Sequence, residues 1–145
     1  MGRRILALDL GEKRIGLAVS DPERVLASGR GVYQRRNLDD DLEYLKRLIA
    51  EEGIGELVLG LPQNMDGSLG PQAERALEFQ RSLEERLNLP VQLFDERLTT
   101  AEAERVLLEA DLSRRRRRLV RDELAAVLIL QGYLDYRARM GEGAR

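Results

Sequence analysis

The order of strand-like and helix-like segments is the feature that most constrains what this chain can fold into. Three apolar, strand-like segments come first, at residues 5–10, 14–20 and 25–35, with turn residues between them. Shorter apolar strands then alternate with helical patterns along the rest of the chain. Three hairpin-linked strands followed by this alternation predict an α/β fold, in which a mixed five-stranded sheet carries helices on its faces.

The first two helices have clear start and stop signals. Asn37 predicts the start of a helix that Gly53 ends, because asparagine caps helix N-termini and glycine favours the turn that follows a helix. A short buried strand is predicted at 56–61. Pro71 suits the first turn of a second helix, which the apolar spacing extends to about Leu87.

The last part of the chain predicts one strand and two helices. The strand covers 91–94, and Thr99 or Thr100 is expected to cap the helix that follows it. The five consecutive arginines at 114–118 are expected to interrupt the helical pattern. A last helix is predicted over about 120–139.

The composition limits the chemistry that the chain can perform. With 145 residues, of which 43% are hydrophobic and 34% charged, we expect one domain at 1–139 and a short tail at 140–145. The sequence has no cysteine and no histidine, which excludes Ser-His and Cys-His nucleophiles as well as thiolate and imidazole metal ligands. Carboxylates must therefore do any chemistry near neutral pH, through a hard cation such as Mg²⁺ or Mn²⁺.

The N-terminus resembles a signal peptide only superficially. Basic residues precede an apolar stretch, but that stretch is short, is interrupted by Asp9 and has no small-residue cleavage site. No apolar run approaches the roughly 18 residues that a membrane span needs. We therefore expect a cytoplasmic protein that has no membrane partner.

Carboxylates occur at three positions where an apolar pattern would not require them. Asp9 ends the first strand, and Asp95 and Glu96 follow the fifth, where functional residues gather in open α/β sheets. Side chains alternate along a strand, so only one member of the Asp95-Glu96 pair can face the same side as Asp9. Asp122 lies in an apolar stripe of the last helix, where burial of a carboxylate requires a compensating charge or metal.

Each of these acids also has a structural interpretation. Asp9 could cap the turn that follows it, Asp95 and Glu96 could form a solvated turn with Arg97, and Asp122 could interact with the helix dipole. Acids arriving together from two strand ends and a helix instead indicate a cation site. Two divalent ions about 4 Å apart activate a water and neutralise charge in phosphodiester hydrolysis.

Four motifs in order carry a resemblance to a known family. They lie at 9–21 (DLGEKRIGLAVSD), 60–67 (GLPQNMDG), 95–102 (DERLTTAE) and 122–131 (DELAA with ILQ). Together they closely resemble the YqgF family of bacteria, also called the Holliday-junction resolvase or pre-16S rRNA nuclease family. The match covers nearly the whole chain.

The resemblance implies a ribonuclease H-like fold, a divalent-metal-dependent nuclease with Mg²⁺ or Mn²⁺, and a role in maturing the 5′ end of small-subunit rRNA in the cytoplasm. It also implies catalytic roles for the acids already singled out: Asp9, Asp95, Glu96 and Asp122. Asp9, Glu96 and Asp122 are the expected metal ligands, while the choice between Asp95 and Glu96 stays open. One departure from the family pattern is the arginine run before Asp122, which bears on how the substrate is held.

Candidate nucleic-acid contacts lie around these acids. Phosphate recognition is expected from basic and amide side chains, because arginine binds phosphate in a bidentate manner and the chain has few aromatic residues for base stacking. The candidates are Lys13, Arg14, Asn64, Arg97, Arg114, Arg115, Arg116, Arg117 and Arg118.

Two other functions fit parts of the pattern. Actin-like ATPases and sugar kinases share the strand and Asp-x-Gly start, but they need two such domains to close on a nucleotide. A catalytically silent nucleic-acid-binding module, such as a ribosome-assembly factor, would keep the acids as structure. The partner is expected to be a structured RNA precursor or branched DNA. RNA against DNA and monomer against homodimer stay open.

Overall fold

The computed structural model describes residues 3–64, 66–95 and 114–141. Its elements follow one another along the chain as β1 (Arg4–Leu10), β2 (Arg14–Ser20), β3 (Ala27–Gln34), α1 (Leu38–Glu52), β4 (Ile54–Leu61), α2 (Pro71–Leu87), β5 (Val91–Asp95) and α3 (Arg114–Arg139).

The five strands form one mixed sheet in the order β3-β2-β1-β4-β5. β1 pairs antiparallel with β2, and β2 with β3, while β4 pairs parallel with both β1 and β5. This confirms the predicted α/β class with its three antiparallel strands first. In the described residues, no helix is both long enough and apolar enough to cross a membrane.

The arginine run does not interrupt the last helix, and that prediction was wrong. α3 begins at Arg114, so the five arginines form its first turn and a half. Arginine has a high helix propensity, which makes a run of it compatible with helical backbone even though its charges repel. The helix predicted to start at Thr99 or Thr100 lies outside the described residues.

The third strand is shorter than predicted because its first residues close a turn. Asp21 Oδ1 accepts hydrogen bonds from the backbone N–H groups of Val25 (2.8 Å) and Leu26 (3.1 Å). Strand pairing therefore starts at Ala27. The N–H donors of Val25 and Leu26 lower the pKa of Asp21 below its ordinary value.

Helices cover the two faces of the sheet unequally. One face carries α1 and α2 over a core that includes Leu6, Leu8 and Leu17. Among the described residues, only α3 covers the other face, where it packs on a smaller core that includes Ile5 and Ala7. Alternating residues of each strand therefore face different helices. The position of a candidate acid in its strand thus decides the face of the sheet on which it lies.

The ends of α1 and α2 follow the predicted signals. Asn37 caps α1 by accepting a hydrogen bond from the Asp40 N–H, and Gly53 ends the helix in the left-handed conformation at φ 68°. Pro71 is in the first turn of α2, and Asn88 ends that helix at φ 55°.

The end of the sheet away from Asp9 is closed by a buried carboxylate, Glu56. Tyr133 donates its hydroxyl to Glu56 Oε2 at 2.5 Å, and Arg137 donates to Oε1 at 2.8 Å. Arg24 Nη1 lies 3.5 Å from the same oxygen. Burial of the Tyr133 hydroxyl and, second, its hydrogen bond to Glu56 raise the pKa of Tyr133 well above its ordinary value. The hydroxyl therefore keeps its proton and donates it in the hydrogen bond. This cluster ties α3 to β4.

Candidate nuclease site

Asp9 lies near the end of β1, on the face of the sheet that α3 covers. Ile5 and Ala7, four and two residues earlier, pack in the core beneath α3, and alternation along the strand places Asp9 on the same side. In the pairing of β1 with β2, Asp9 is opposite Gly16. The residue is partly exposed.

Gly16 allows Asp122 to lie against the sheet at the same level along the strands as Asp9. A Cβ atom at Gly16 would lie 1.9 Å from the carbonyl oxygen of Asp122, so only glycine lets α3 approach β2 this closely. The residue that pairs with Asp9 is therefore the residue over which Asp122 sits. Asp9 and Asp122 thus share Gly16 as a neighbour, Asp9 through strand pairing and Asp122 through the backbone of α3.

Arg14 supplies the charge that compensates Asp122. Its Nε donates to Asp122 Oδ2 at 2.8 Å, and both side chains are about one-fifth exposed, at 22% and 23%. An acid in this apolar stripe needed such a partner or a metal. Within the described residues, no group of three or more acids is arranged to hold a metal ion.

The glutamate next to Asp122 fixes the rotation of α3 over the sheet. Glu123 Oε2 accepts a hydrogen bond of 2.6 Å from the backbone N–H of Gly31 in β3. Gly31 has φ 91°, a conformation that glycine readily adopts, and it lies in an irregular part of the β2–β3 pairing. A Cβ atom at Gly29 would lie 2.7 Å from the same carboxylate oxygen. β3 is thus shaped to receive Glu123, which holds Asp122 above Gly16.

Asp95 is the last residue of β5 rather than the first residue after it. Leu93 packs on the core under α1 and α2, whereas Phe94 packs on the core under α3. Alternation therefore assigns Asp95 to the Leu93 side, opposite to Asp9. Glu96 and Arg97 lie outside the described residues.

Asn64 organises the loop between β4 and α2. Its side-chain amide donates to the Ser68 hydroxyl at 3.0 Å, and its backbone N–H donates to the Ser68 carbonyl at 2.9 Å. Asp66 Oδ1 accepts from both the N–H and the hydroxyl of Ser68. The role of Asn64 in nucleic-acid binding stays a prediction, and the contacts seen here are those of a loop-shaping residue.

The remaining basic candidates are placed only in part. Lys13 is exposed in the β1–β2 turn, next to Arg14. The backbone of Arg114 to Arg118 is helical at the start of α3, eight to four residues before Asp122. The side chains of this run lie outside the described residues, so its contact with substrate stays a prediction.

Arg35 holds the turn that carries Asp9 and was missed by the sequence prediction. Its Nη1 donates to the Gly11 carbonyl at 2.9 Å, and its Nε donates to Asp41 Oδ2 at 3.0 Å. Its guanidinium lies 5.3 Å from the ring centre of Phe79 in α2. Asp41 is fully buried in line with Leu45 and Leu48 of α1. That acid in an apolar stripe was the same signal that identified Asp122.

The surface next to Asp9 is a cleft of about 230 Å³ between the β1–β2 turn and α2. Two guanidinium groups, those of Arg35 and Arg75, line it together with Glu12 and Gln72. It therefore combines a candidate catalytic acid with groups suited to phosphate.

The mixed five-stranded sheet with helices on its faces is an α/β fold of the ribonuclease H-like type. The structure is similar to Thermus thermophilus RuvC in complex with Holliday junction substrate, with a TM-score of 0.57, 14% sequence identity and coverage of 96% of this chain and 97% of that chain. A second Thermus thermophilus RuvC structure aligns with a TM-score of 0.55 and 13% identity over the same shares of both chains. At such low identity the likeness shows the fold.

The family is shown by sequence. A family model described as "RuvX: Holliday junction resolvase" matches residues 3–136, and the chain belongs to that family. It is 58% identical over 139 residues to a Moorella thermoacetica protein named "Putative pre-16S rRNA nuclease", covering 96% of this chain and 97% of that protein. A Syntrophomonas wolfei protein of the same name is 55% identical, with coverage of 91% and 94%. The resemblance found in the sequence motifs is thereby confirmed.

Proposed function

We propose that this protein is a divalent-metal-dependent nuclease that hydrolyses phosphodiester bonds in nucleic acid. The observation that carries the proposal is the juxtaposition of Asp9 and Asp122 across Gly16. One acid comes from a strand end and the other from the helix that packs on the same face of the sheet. Membership of the RuvX family supports the same reaction class.

The residues proposed to hold the metal are Asp9, Glu96 and Asp122. Their donors are carboxylate oxygens, which suit Mg²⁺ or Mn²⁺ and are poor ligands for soft metals. Asp95 is assigned to the other face by strand alternation, and this favours Glu96 as the third acid. When bound, the cation lowers the pKa of a coordinated water and neutralises charge on the phosphate.

The protein's own groups orient these acids. Asp9 is held in the central strand of the sheet, between β2 and β4, and Arg35 pins the following turn to α1. Arg14 fixes the Asp122 carboxylate by a hydrogen bond from its Nε. Preorganised groups of this kind lower the barrier because they need not rearrange during the reaction.

The favoured substrate is the 5′ end of precursor 16S rRNA. The relatives that cover nearly the whole chain are named "Putative pre-16S rRNA nuclease", which supports the RNA, and the 5′ end is part of our proposal. A four-way DNA junction is the second candidate, because the family description and the structurally similar RuvC complex both refer to it. A symmetric junction cut needs two sites, so this second activity would require a homodimer.

The test is parallel cleavage of an rRNA precursor and a four-way junction in Mn²⁺ and in Mg²⁺, with the oligomeric state measured on the same sample. Cleavage at the mature 5′ end by a monomer supports rRNA maturation. Symmetric junction cutting by a dimer supports resolution.

The Arg14–Asp122 ion pair also supports a second candidate function, a catalytically silent nucleic-acid-binding factor. In that case Asp122 would serve only to dock the helix through Arg14. Binding of both substrates with no cleavage of either, under all metal conditions, would favour this function and contradict the nuclease proposal.

A further inference from the structure

Three adjoining clefts follow α2 away from Asp9, and Arg75 lines all of them. The first holds Asp9, Gln72 and Arg75. The second, of about 390 Å³, continues past Pro62 to Asn64. The third, of about 280 Å³, passes Arg35 and reaches Ser82. Together they form a groove along α2, which we call the α2 groove, with Arg75 at its junction and Asp9 at its edge.

Arg75 is available to a ligand in this groove. Its side chain is 51% exposed, and its Nη2 lies 3.7 Å from Oε1 of Glu12, which is 74% exposed. Ion pairs this open contribute little to stability, since water and salt screen them. A phosphate group can therefore replace Glu12 as the partner of Arg75 at small cost, and offers a better geometry because guanidinium binds phosphate in a bidentate manner.

The other walls of the α2 groove suit a polynucleotide strand. The Arg35 guanidinium adds positive charge, although two of its donors already hold Asp41 and Gly11. Gln72 and Ser82 offer polar groups. Leu10 and Leu38 offer apolar surface against which sugars or bases can pack.

We propose that the α2 groove binds the substrate strand beside the scissile bond, with Arg75 gripping a backbone phosphate and Glu12 acting as the group that this phosphate displaces. The inference rests on the proposed function, because it takes Asp9 as the point where the strand is cut. Arg75 is thus a substrate-binding residue, on the side of Asp9 away from α3.

Arg86 provides a matched control on the same helix. Its side chain is 50% exposed and pairs at 3.1 Å with Asp39, which is 80% exposed. It lies in the last turn of α2 and lines none of the three clefts. Arg75→Gln and Arg86→Gln therefore remove the same charge and the same kind of exposed ion pair from one helix, and they differ in the groove.

The experiment measures binding of an rRNA-precursor oligonucleotide and of a four-way DNA junction to full-length protein, in the Asp9→Asn background so that nothing is cut. We expect Arg75→Gln to weaken binding at 50 mM salt and to lower the salt slope by about 0.7 to 0.9, the share of one phosphate contact. The ratio of the Kd of Arg75→Gln to the Kd of the parent should therefore fall about threefold between 50 and 200 mM salt. Arg86→Gln should stay near the parent, and Glu12→Gln should bind more tightly.

The two substrates separate the sources of the phosphate. A larger loss of affinity of Arg75→Gln for the RNA assigns the α2 groove to an RNA strand, and a larger loss of affinity for the junction assigns it to DNA. Both outcomes support a phosphate contact. Equal affinities and salt slopes for Arg75→Gln and Arg86→Gln would overturn the inference while leaving the nuclease proposal intact. Wild-type protein that never cuts, with Arg75→Gln still selectively weakened in binding, would overturn the nuclease proposal and keep the groove.

Discussion

At the residue scale, the face of the sheet on which each acid lies decides its proposed role. Asp9 and Asp122 lie on the α3 side, whereas alternation in β5 assigns Asp95 to the opposite side. The sequence showed that only one member of the Asp95-Glu96 pair could join Asp9, but not which one. The choice needed the packing of Leu93 and Phe94, because both are apolar and the pattern alone does not say which core each one enters.

The Asp95-Glu96 pair supplies a prediction with a built-in control. Loss of even an outer partner of a metal ligand costs about 10- to 100-fold in affinity or activity, so Glu96→Gln should reduce cleavage by about 100-fold or more. Asp95→Asn should stay within about threefold of wild type, because its side chain is assigned to the other face. Initial cleavage rates at saturating Mn²⁺ measure both. The reverse order of the two losses would mean that Asp95 is the ligand.

At the scale of elements, the site depends on how closely α3 approaches β2. Gly16 and Gly29 have no side chain at the points where α3 packs on β2 and β3. Glu123 accepts a hydrogen bond from the Gly31 N–H, which fixes the position of the helix. Helix and strand periodicity predicted most elements of the chain to within a residue or two. It failed at the arginine run, which is helical, because a charge run carries no apolar periodicity even though its residues favour helix.

Gly16→Ala tests this close approach. The added methyl would meet the Asp122 carbonyl oxygen at 1.9 Å, so α3 must shift. Overpacking of this kind lowers the free energy of unfolding by about 3 kcal/mol. We also expect Gly16→Ala to lose cleavage. Gly70→Ala is the control, since its methyl would lie 3.6 Å from the Asn64 amide, an ordinary contact. Urea unfolding measures both, and equal stability losses would show that the α3–β2 approach is not tight.

The turn between β2 and β3 predicts a pH dependence. The pKa of Asp21 is lowered in the folded protein, mainly by the N–H groups of Val25 and Leu26. A depressed carboxyl pKa stabilises the fold above the unfolded value of 3.8, and this contribution is lost as the pH falls through the folded value. Wild type should therefore exceed Asp21→Asn in urea midpoint at pH 7, with a difference that shrinks below pH 3.8. A difference independent of pH would contradict this.

At the scale of the whole molecule, two apolar cores on opposite faces of one sheet stabilise the fold, and the candidate site lies where its central strand, β1, ends. Both cores consist of apolar side chains, and none of the candidate acids belongs to them. The fold class could be predicted from the sequence because it follows from the order and periodicity of the elements. Asp9 and Asp122 could be selected as candidate site residues because they are acids in apolar surroundings, and their role stays a prediction. Arg35 and Arg75 could not, because exposed or ion-paired arginines are common and only the tertiary structure groups them beside Asp9.

Metal binding should therefore stabilise a protein that is already folded. At a Mn²⁺ concentration ten times its Kd, binding to the folded protein adds about 1.4 kcal/mol to the free energy of unfolding. This raises Tm by about 4 °C for a domain of this size. Chelator should remove the increment and leave the cooperative transition in place. Asp9→Asn should show little or no Mn²⁺-dependent increment. Unfolding on chelation, or an equal increment in Asp9→Asn, would mean that the ion binds elsewhere.

The most direct test of the central claim is Mn²⁺-dependent cleavage by Asp9→Asn beside wild type, on an rRNA precursor and on a four-way junction. The substitution keeps the size of the side chain and removes the charge at the centre of the site. We expect wild type to cut at least one substrate, and Asp9→Asn to keep the fold and the binding of nucleic acid while cutting neither. Cleavage by Asp9→Asn at the wild-type rate would contradict the assignment of Asp9 as the catalytic acid.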